Sequence, residues 1–328
     1  MLLPTILLCL GLLPAAGEAA PTTDVAAVAK AALDKLPGHT GFLFTEIEGD
    51  QPHVLYAVRA DERFAIGSSF KLYILGTLAD EVNADRRQLD NAMLLERELA
   101  GPPHSEMAAW PAGSPVTLHT LALKMIWISD NTATDHLLHL LGREQVEQQM
   151  TRMGNQHAEW NRPLLSTREM TMLRDIKQGL PGRTYQTLDE AARRKFLAEH
   201  FQGLPAYESL DFDTAAYDLA EWYATPLDLA RALAWIKTNT SADEPAHALR
   251  AVLSVDQKLP HDPACWPYVG FKGGSEDQLL AGNWLLQNRD GRWYTLHVYW
   301  NNPDGKAAEG YLIGAIGTIF SAIERALQ

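Results

Sequence analysis

The chain has 328 residues, 46% of them apolar, which is enough for one large domain or two lobes sharing an interior. Its formal charge of -13 makes an acidic surface that repels phosphate backbones and excludes nucleic acid as an expected partner. Beyond the N-terminus no apolar run is as long as a bilayer span.

In chain order, Leu2 to Leu13 is nearly all apolar and small residues follow from Ala15 to Ala20, which reads as a signal peptide cut after Ala19 or Ala20. The product is then periplasmic or secreted. No Lys or Arg precedes the apolar stretch, so an uncleaved anchor is the alternative. Cleavage removes Cys9 and leaves Cys265 alone, without a partner for an internal disulfide. Cys265 is read as a small buried apolar residue.

Val25 to Leu36 has helical spacing of apolar residues. Gly41 to Ile47 and His53 to Ala60 read as strands of a hairpin turning at Glu48-Gly49-Asp50. Phe64 to Ala79 runs into an apolar helix that begins near Ser68. Leu118 to Leu141 is helical but broken at Ser129-Asp130-Asn131, small polar residues that suit a loop and a helix start. Residues 151–167 are irregular. Arg168 to Gln178, Leu188 to Phe201 and Pro226 to Lys237 read as helices, the last capped by Thr225 with Pro226 in its first turn. Tyr268 to Lys272, Leu280 to Gln287 and Tyr294 to Trp300 are strand-like, with a turn at Asp290-Gly291 between the last two. Gly310 to Leu327 closes the chain as a helix.

Strands, a helical middle, strands and a final helix predict an α+β fold whose antiparallel sheet joins both ends of the chain. The expected sheet lobe takes about residues 21–70 and 250–328, the helical lobe about 71–249, with a cleft between them.

Three short patterns occur in order: Ser68-Ser69-Phe70-Lys71, Ser129-Asp130-Asn131 and Lys272-Gly273-Gly274-Ser275. A Ser-x-x-Lys is expected about once by chance in such a chain, each of the other triplets on the order of a tenth of a time. Their joint occurrence, each at a suitable place on its element, is far more specific. At a helix start Ser68 and Lys71 share a face. A serine hydroxyl needs a base, and Lys71 serves only when neutral. Desolvation and a second cation, Lys272, would both lower its pKa. Ser129 is placed to relay a proton to a leaving nitrogen, Asn131 to hold a substrate amide, and Lys272 to attract a carboxylate. Gly273 and Gly274 let a ligand lie against the strand. Backbone N–H groups of Ser68 and Ser275 suit an oxyanion hole. The bland alternatives are surface lysines and a plain helix cap at Ser129-Asp130-Asn131. His136 and His139 share a helical face but have no third ligand in view, so no metal is expected.

On these motifs the chain resembles the serine β-lactamase and penicillin-binding family, class A-like, in the stretches Phe64 to Lys71, Ile128 to Ala133 and Val269 to Gly274. The resemblance implies a sandwich lobe plus an all-helical lobe, acyl-enzyme chemistry on a β-lactam or ester, no metal or cofactor, and the roles above for Ser68, Lys71, Ser129, Asn131, Lys272 and the Ser275 backbone. Three features depart from the pattern. Lys-Gly-Gly replaces the usual Lys-Thr-Gly, which removes a hydroxyl at position 273. Extra helical sequence lies around Arg174 to Tyr223. The loop before Leu164-Leu165-Ser166-Thr167 lacks the Glu-x-x-Leu-Asn whose Glu activates the deacylating water in class A enzymes. Glu159 is the nearest substitute, so slow or atypical deacylation is expected. Asn161 to Met170, Trp222 to Pro226 and Trp266 to Ser275 resemble the divergent serine hydrolases of clavulanate biosynthesis clusters, which implies esterase-type or weak lactam-hydrolysing character. The rival readings are an esterase or penicillin-binding peptidase of the same fold, and a ligand-binding homologue without turnover. A monomer is expected.

Overall fold

The computed structural model describes residues 24–101, 105–177, 179–201 and 218–327. The expected signal peptide, Gln178 and part of the extra sequence between Arg174 and Tyr223 lie outside the described residues.

Asp24 caps α1 (Val25–Leu33) by accepting the Ala27 amide. β1 (His39–Glu48) and β2 (Gln51–Val58) form a hairpin turning at Gly49, whose φ of +64° suits glycine. After β3 (Phe64–Ala65), a tight 3₁₀ turn over Gly67–Phe70 leads into α2 (Lys71–Asn83). β4 (Ala92–Leu94) and β5 (Pro115–Thr117) pair as a small ribbon ahead of α3 (Leu118–Trp127). Then come α4 (Asn131–Leu141), α5 (Arg143–Arg152), α6 (Thr167–Leu173), α7 (Gly182–Tyr185) and α8 (Glu190–Phe201). β6 (Tyr223–Ala224) pairs with β3 and runs into α9 (Pro226–Asn239), where Thr225 and Asp228 make a reciprocal capping box with Pro226 at the helix start. α10 (Ala248–Leu253), β7 (Tyr268–Glu276), β8 (Leu279–Gln287), β9 (Trp293–Asn301) and α11 (Glu309–Ala326) complete the chain.

Five strands form one antiparallel sheet in the order β2-β1-β9-β8-β7. Both ends of the chain meet in it, with β1 on β9 in unbroken register from His39↔Asn301 to Ile47↔Trp293. The expected α+β class with an antiparallel sheet is what the chain adopts. An apolar cluster including Val25, Leu33, Ile316 and Ile323 joins α1 and α11 to the sheet, and a larger cluster including Leu72, Leu137, Leu233 and Tyr299 lies on its other side. β8 and β9 are buried on both faces, which is why they read as near-continuous apolar runs. The edge strand β7 borders the cleft that holds the motifs.

Cys265, expected to be buried, is exposed, and two expected helix boundaries are corrected. The helix expected to begin near Ser68 starts at Lys71, after the 3₁₀ turn, because Phe64 and Ala65 pair with Tyr223 and Ala224 and Gly67 takes φ +47°. The helix read over Arg168 to Gln178 stops at Leu173, where the Arg174 side chain turns inward and is wholly buried. The short β4–β5 ribbon has no counterpart in the expected elements, and β7 continues past Lys272 to Glu276.

Candidate active site

Ser68 lies on the turn between β3 and α2, half-buried at the floor of the cleft. The turn is held from several sides. Ile66 N–H donates to Trp222 O at 2.9 Å, and the Phe70 ring stacks on Trp222 at 3.9 Å. Trp222 in turn donates Nε1–H to Leu165 O at 3.0 Å. Behind the turn, Asn283 Nδ2 donates to Ser69 Oγ at 2.8 Å and to Lys272 O at 3.1 Å.

The first residue of α2, Lys71, is fully buried. Its ammonium donates to Ser129 O at 2.6 Å, Ser129 Oγ at 3.1 Å and Asn131 Oδ1 at 2.8 Å. Lys272, from the middle of β7, donates to the same Ser129 Oγ at 3.0 Å and to Gly273 O at 2.7 Å. One hydroxyl therefore bridges two amines. A serine oxygen has two lone pairs and one proton, so with both pairs engaged its O–H is left to point elsewhere.

Burial lowers the Lys71 pKa to about 7, with the Asp135 and Asp130 carboxylates pulling the other way. Lys272 is lowered well below the usual lysine range by burial and then by the Lys71 charge. The sequence reading named both desolvation and Lys272 as causes for Lys71; burial is the cause that acts there, and the repulsion is felt at Lys272.

Ser129 takes φ +60°, and this left-handed turn lets the chain leave α3 and enter α4. Asp130, wholly buried, caps α4 through the Ala133 amide at 2.9 Å, and also accepts from Ser105 Oγ at 2.7 Å and Met107 N at 2.9 Å. Ser129-Asp130-Asn131 is thus a helix cap and a site motif at once, with Asp130 holding the geometry and its two neighbours facing Lys71.

Gly274 lies against the nucleophile turn. A Cβ there would overlap Ile66 O and come within 2.8 Å of Ser68 N. A Cβ on Gly67 would stand 3.3 Å from Ser275 N. The Ser68 and Ser275 backbones therefore meet at the cleft floor, where both residues form part of its lining. The structure thus brings together Ser68, Lys71, Ser129, Asn131, Lys272, Gly273, Gly274 and Ser275.

Glu159 is not brought in. It sits exposed on a 3₁₀ turn, Ala158–Asn161, whose buried members are Ala158 and Asn161. Asn161 exchanges hydrogen bonds with the Tyr223 backbone, each 2.8 Å, which fixes the turn, and Glu159 is not among the residues that line the cleft. Glu169 is also engaged elsewhere, in the α6 capping box with Ser166 and in an ion pair with Arg143 at 2.6 Å. Both ring nitrogens of His136 are taken by backbone groups of Thr132 and Glu96.

Sequence reasoning missed two groups. Glu276, at the end of β7, lines the cleft with Ser68 and is bound by Arg174, which also bonds Glu221 at 2.9 Å and the Ala220 carbonyl. Burial and the Glu276 charge push the Glu221 carboxyl well above the usual carboxylate range. Beneath β7 a buried polar chain also supports the site. Asn283 Oδ1 accepts from Tyr299 Oη at 2.6 Å and from His297 Nδ1 at 2.8 Å. His297 Nε2 then accepts from Thr295 Oγ1 at 3.0 Å, and Thr45 Oγ1 donates to Thr295 at 2.8 Å. Burial drops His297 to about 3, so it stays the neutral imidazole this chain of bonds requires. Neither cluster follows from spacing, because the partners lie on distant strands.

This fold and this bridged serine define a class. The chain belongs to the beta-lactamase enzyme family, whose model matches residues 22–319. No curated protein matches it significantly. Among solved structures it is similar to a β-lactamase from Sphaerobacter thermophilus, at 22% identity and TM-score 0.64, covering 93% of this chain and 97% of that one. A β-lactamase from Chitinophaga pinensis gives 16% identity and TM-score 0.65, with 93% and 100% covered. A mutant of PBP-A, solved as an acyl-enzyme complex with penicillin G, gives 15% identity and TM-score 0.63, with 92% and 97% covered. At these identities the likeness extends to the fold.

Proposed function

We propose that the protein is an exported serine hydrolase that works as a monomer through an acyl-enzyme on cyclic amides or esters, with slow or atypical deacylation. The observation that carries this reading is the bridge from Lys71 through Ser129 Oγ to Lys272, beside Ser68. A Lys71 pKa of about 7 leaves a large neutral fraction at physiological pH. The neutral amine gains a lone pair and takes the Ser68 proton, directly or through Ser129, as Ser68 Oγ attacks the carbonyl. The Ser68 and Ser275 N–H groups stabilise the developing oxyanion. Ser129 passes its proton to the leaving nitrogen or oxygen and recovers one from Lys71. Asn131, opening onto the same cleft, positions the acyl side.

Release of the acyl group needs a base for water. Glu159 is exposed and does not line the cleft, and one oxygen of the cleft carboxylate Glu276 is held by Arg174, which supports slow release. Export rests on the apolar N-terminal stretch alone. The esterase reading gains support from Gly273, where a hydroxyl for a substrate carboxylate is missing.

Intact-protein mass spectrometry after brief exposure to penicillin G and to an activated ester tests the reading. The expected result is a covalent adduct that persists for many turnover times of a fast lactamase and is absent from Ser68→Ala. An adduct retained in Ser68→Ala removes Ser68 from the mechanism, and turnover with no trapped adduct contradicts slow release.

A further inference from the structure

The cleft at Ser68 has two arms. One, about 580 Å³, runs past Asn131, Thr171 and Glu276. The other, about 440 Å³, runs from Ser129 along Lys272 and Gly273 towards α11. Ser129, the proton donor to the leaving group, borders both arms, but Lys272, which donates to its Oγ, lies with Gly273 in the second arm alone, and this assigns the second arm to that part of the substrate.

The chemistry of the second arm is unusual for a site expected to bind a carboxylate. Two glycines, Gly273 and Gly282, stand opposite each other on β7 and β8, and Phe271 pairs with Trp284 beside them. The two rings lie 4.9 Å apart and lean over the glycines. A Cβ on Gly273 would come within 2.7 Å of the Phe271 ring, and one on Gly282 would overlap Trp284. Trp284 is fixed by donating Nε1–H to Gln257 O at 2.9 Å. The glycine pair thus makes room for an aromatic floor. Around it stand Trp127 and Ile313, 45% and 52% exposed, which extend its apolar lining towards solvent.

The charges along this arm are already engaged. Lys272 directs its ammonium to Ser129 Oγ and Gly273 O. Lys258 pairs with Asp256 at 3.1 Å, and Glu309 adds a negative charge. A carboxylate entering here loses water and meets a carboxylate in return.

We infer that this arm holds the leaving group and selects an uncharged apolar one, such as an aryl or branched-alkyl alcohol or amine, over one bearing a carboxylate. The inference rests on the acyl-enzyme reading, because Ser129 as proton donor is what assigns the arm to the leaving group.

Equilibrium binding to the full Ser68→Ala chain tests the selection without turnover, using two leaving-group alcohols, 4-butylphenol and 4-hydroxybenzoate, in calorimetry. Butylphenol binds at least about tenfold more tightly than hydroxybenzoate. Adding Ile313→Lys, on the exposed side of α11, abolishes that margin, while Val54→Lys, exposed on β2, leaves it unchanged. Equal or tighter binding of hydroxybenzoate overturns the inference, as does binding of neither phenol at millimolar concentration or a preference that survives Ile313→Lys. The acyl-enzyme reading fails separately, by absence of a Ser68-dependent adduct in the wild-type chain.

Discussion

Lys71 carries the most consequence at the scale of single residues. It is buried, and its three donated bonds suit the charged form, yet burial sets its pKa at about 7. The acylation rate of Ser68 should therefore rise through about pH 7 and level off above it, read as adduct formation against time across pH. Lys71→Met should lower acylation by about 10²–10⁴-fold and remove that rise. The same burial has a stability cost of known sign. An unfolded lysine binds its proton near pH 10.5, and the folded site binds it only near 7. The folded state is then penalised progressively as pH falls between those values and fully below 7. Lys71→Met should accordingly keep or raise the melting temperature at pH 6 while losing activity, and a clear drop there contradicts the assignment. Ser68, Lys71, Ser129 and Lys272 were legible in the sequence, because each sits in a short motif. Glu159 was placed wrongly for a physical reason, since its position in the loop gives no sign of which side of a 3₁₀ turn faces the cleft.

Among the elements, the break between α3 and α4 has to hold Ser129 at a left-handed φ between two amines. Asp130 does this by capping α4 and tying down Ser105 and Met107. Asp130→Ala should cost about 1–3 kcal/mol in denaturant unfolding and lower the rate of acylation more than the affinity for substrate. On the opposite wall, Gly274→Ala drives a methyl into Ile66 O and the Ser68 amide. It should reduce acylation by at least about tenfold while the sheet stays folded by circular dichroism. Most strands and helices were readable from periodicity and turn residues, as at Asp290-Gly291 and Thr225-Pro226. Their ends were less so. Local pattern starts a helix near Ser68, and only the long-range pairing of Phe64 and Ala65 with Tyr223 and Ala224, followed by the turn at Gly67, moves the start to Lys71.

Over the whole molecule, the site exists because the sheet and the helices close on one another and keep water from two amines. Arg174 clamps this closure, reaching from the end of α6 to Glu221 and to Glu276 on β7. Arg174→Met leaves the buried Glu221 and the partly buried Glu276 without their cation and should destabilise the fold by about 3–5 kcal/mol in chemical denaturation. Such long-range contacts were beyond reach of the sequence, as was the buried chain from Thr45 through His297 to Asn283, since its members gain meaning only once β1, β9 and β8 are in register. The closure makes its sharpest demand on the Lys71 proton. Titrating the chain with its lysines labelled at Cε with ¹³C, and assigning Lys71 by the resonance lost in Lys71→Met, measures that demand directly. The account predicts a midpoint near pH 7 for that resonance. A Lys71 midpoint at the ordinary value of 10.5 contradicts it.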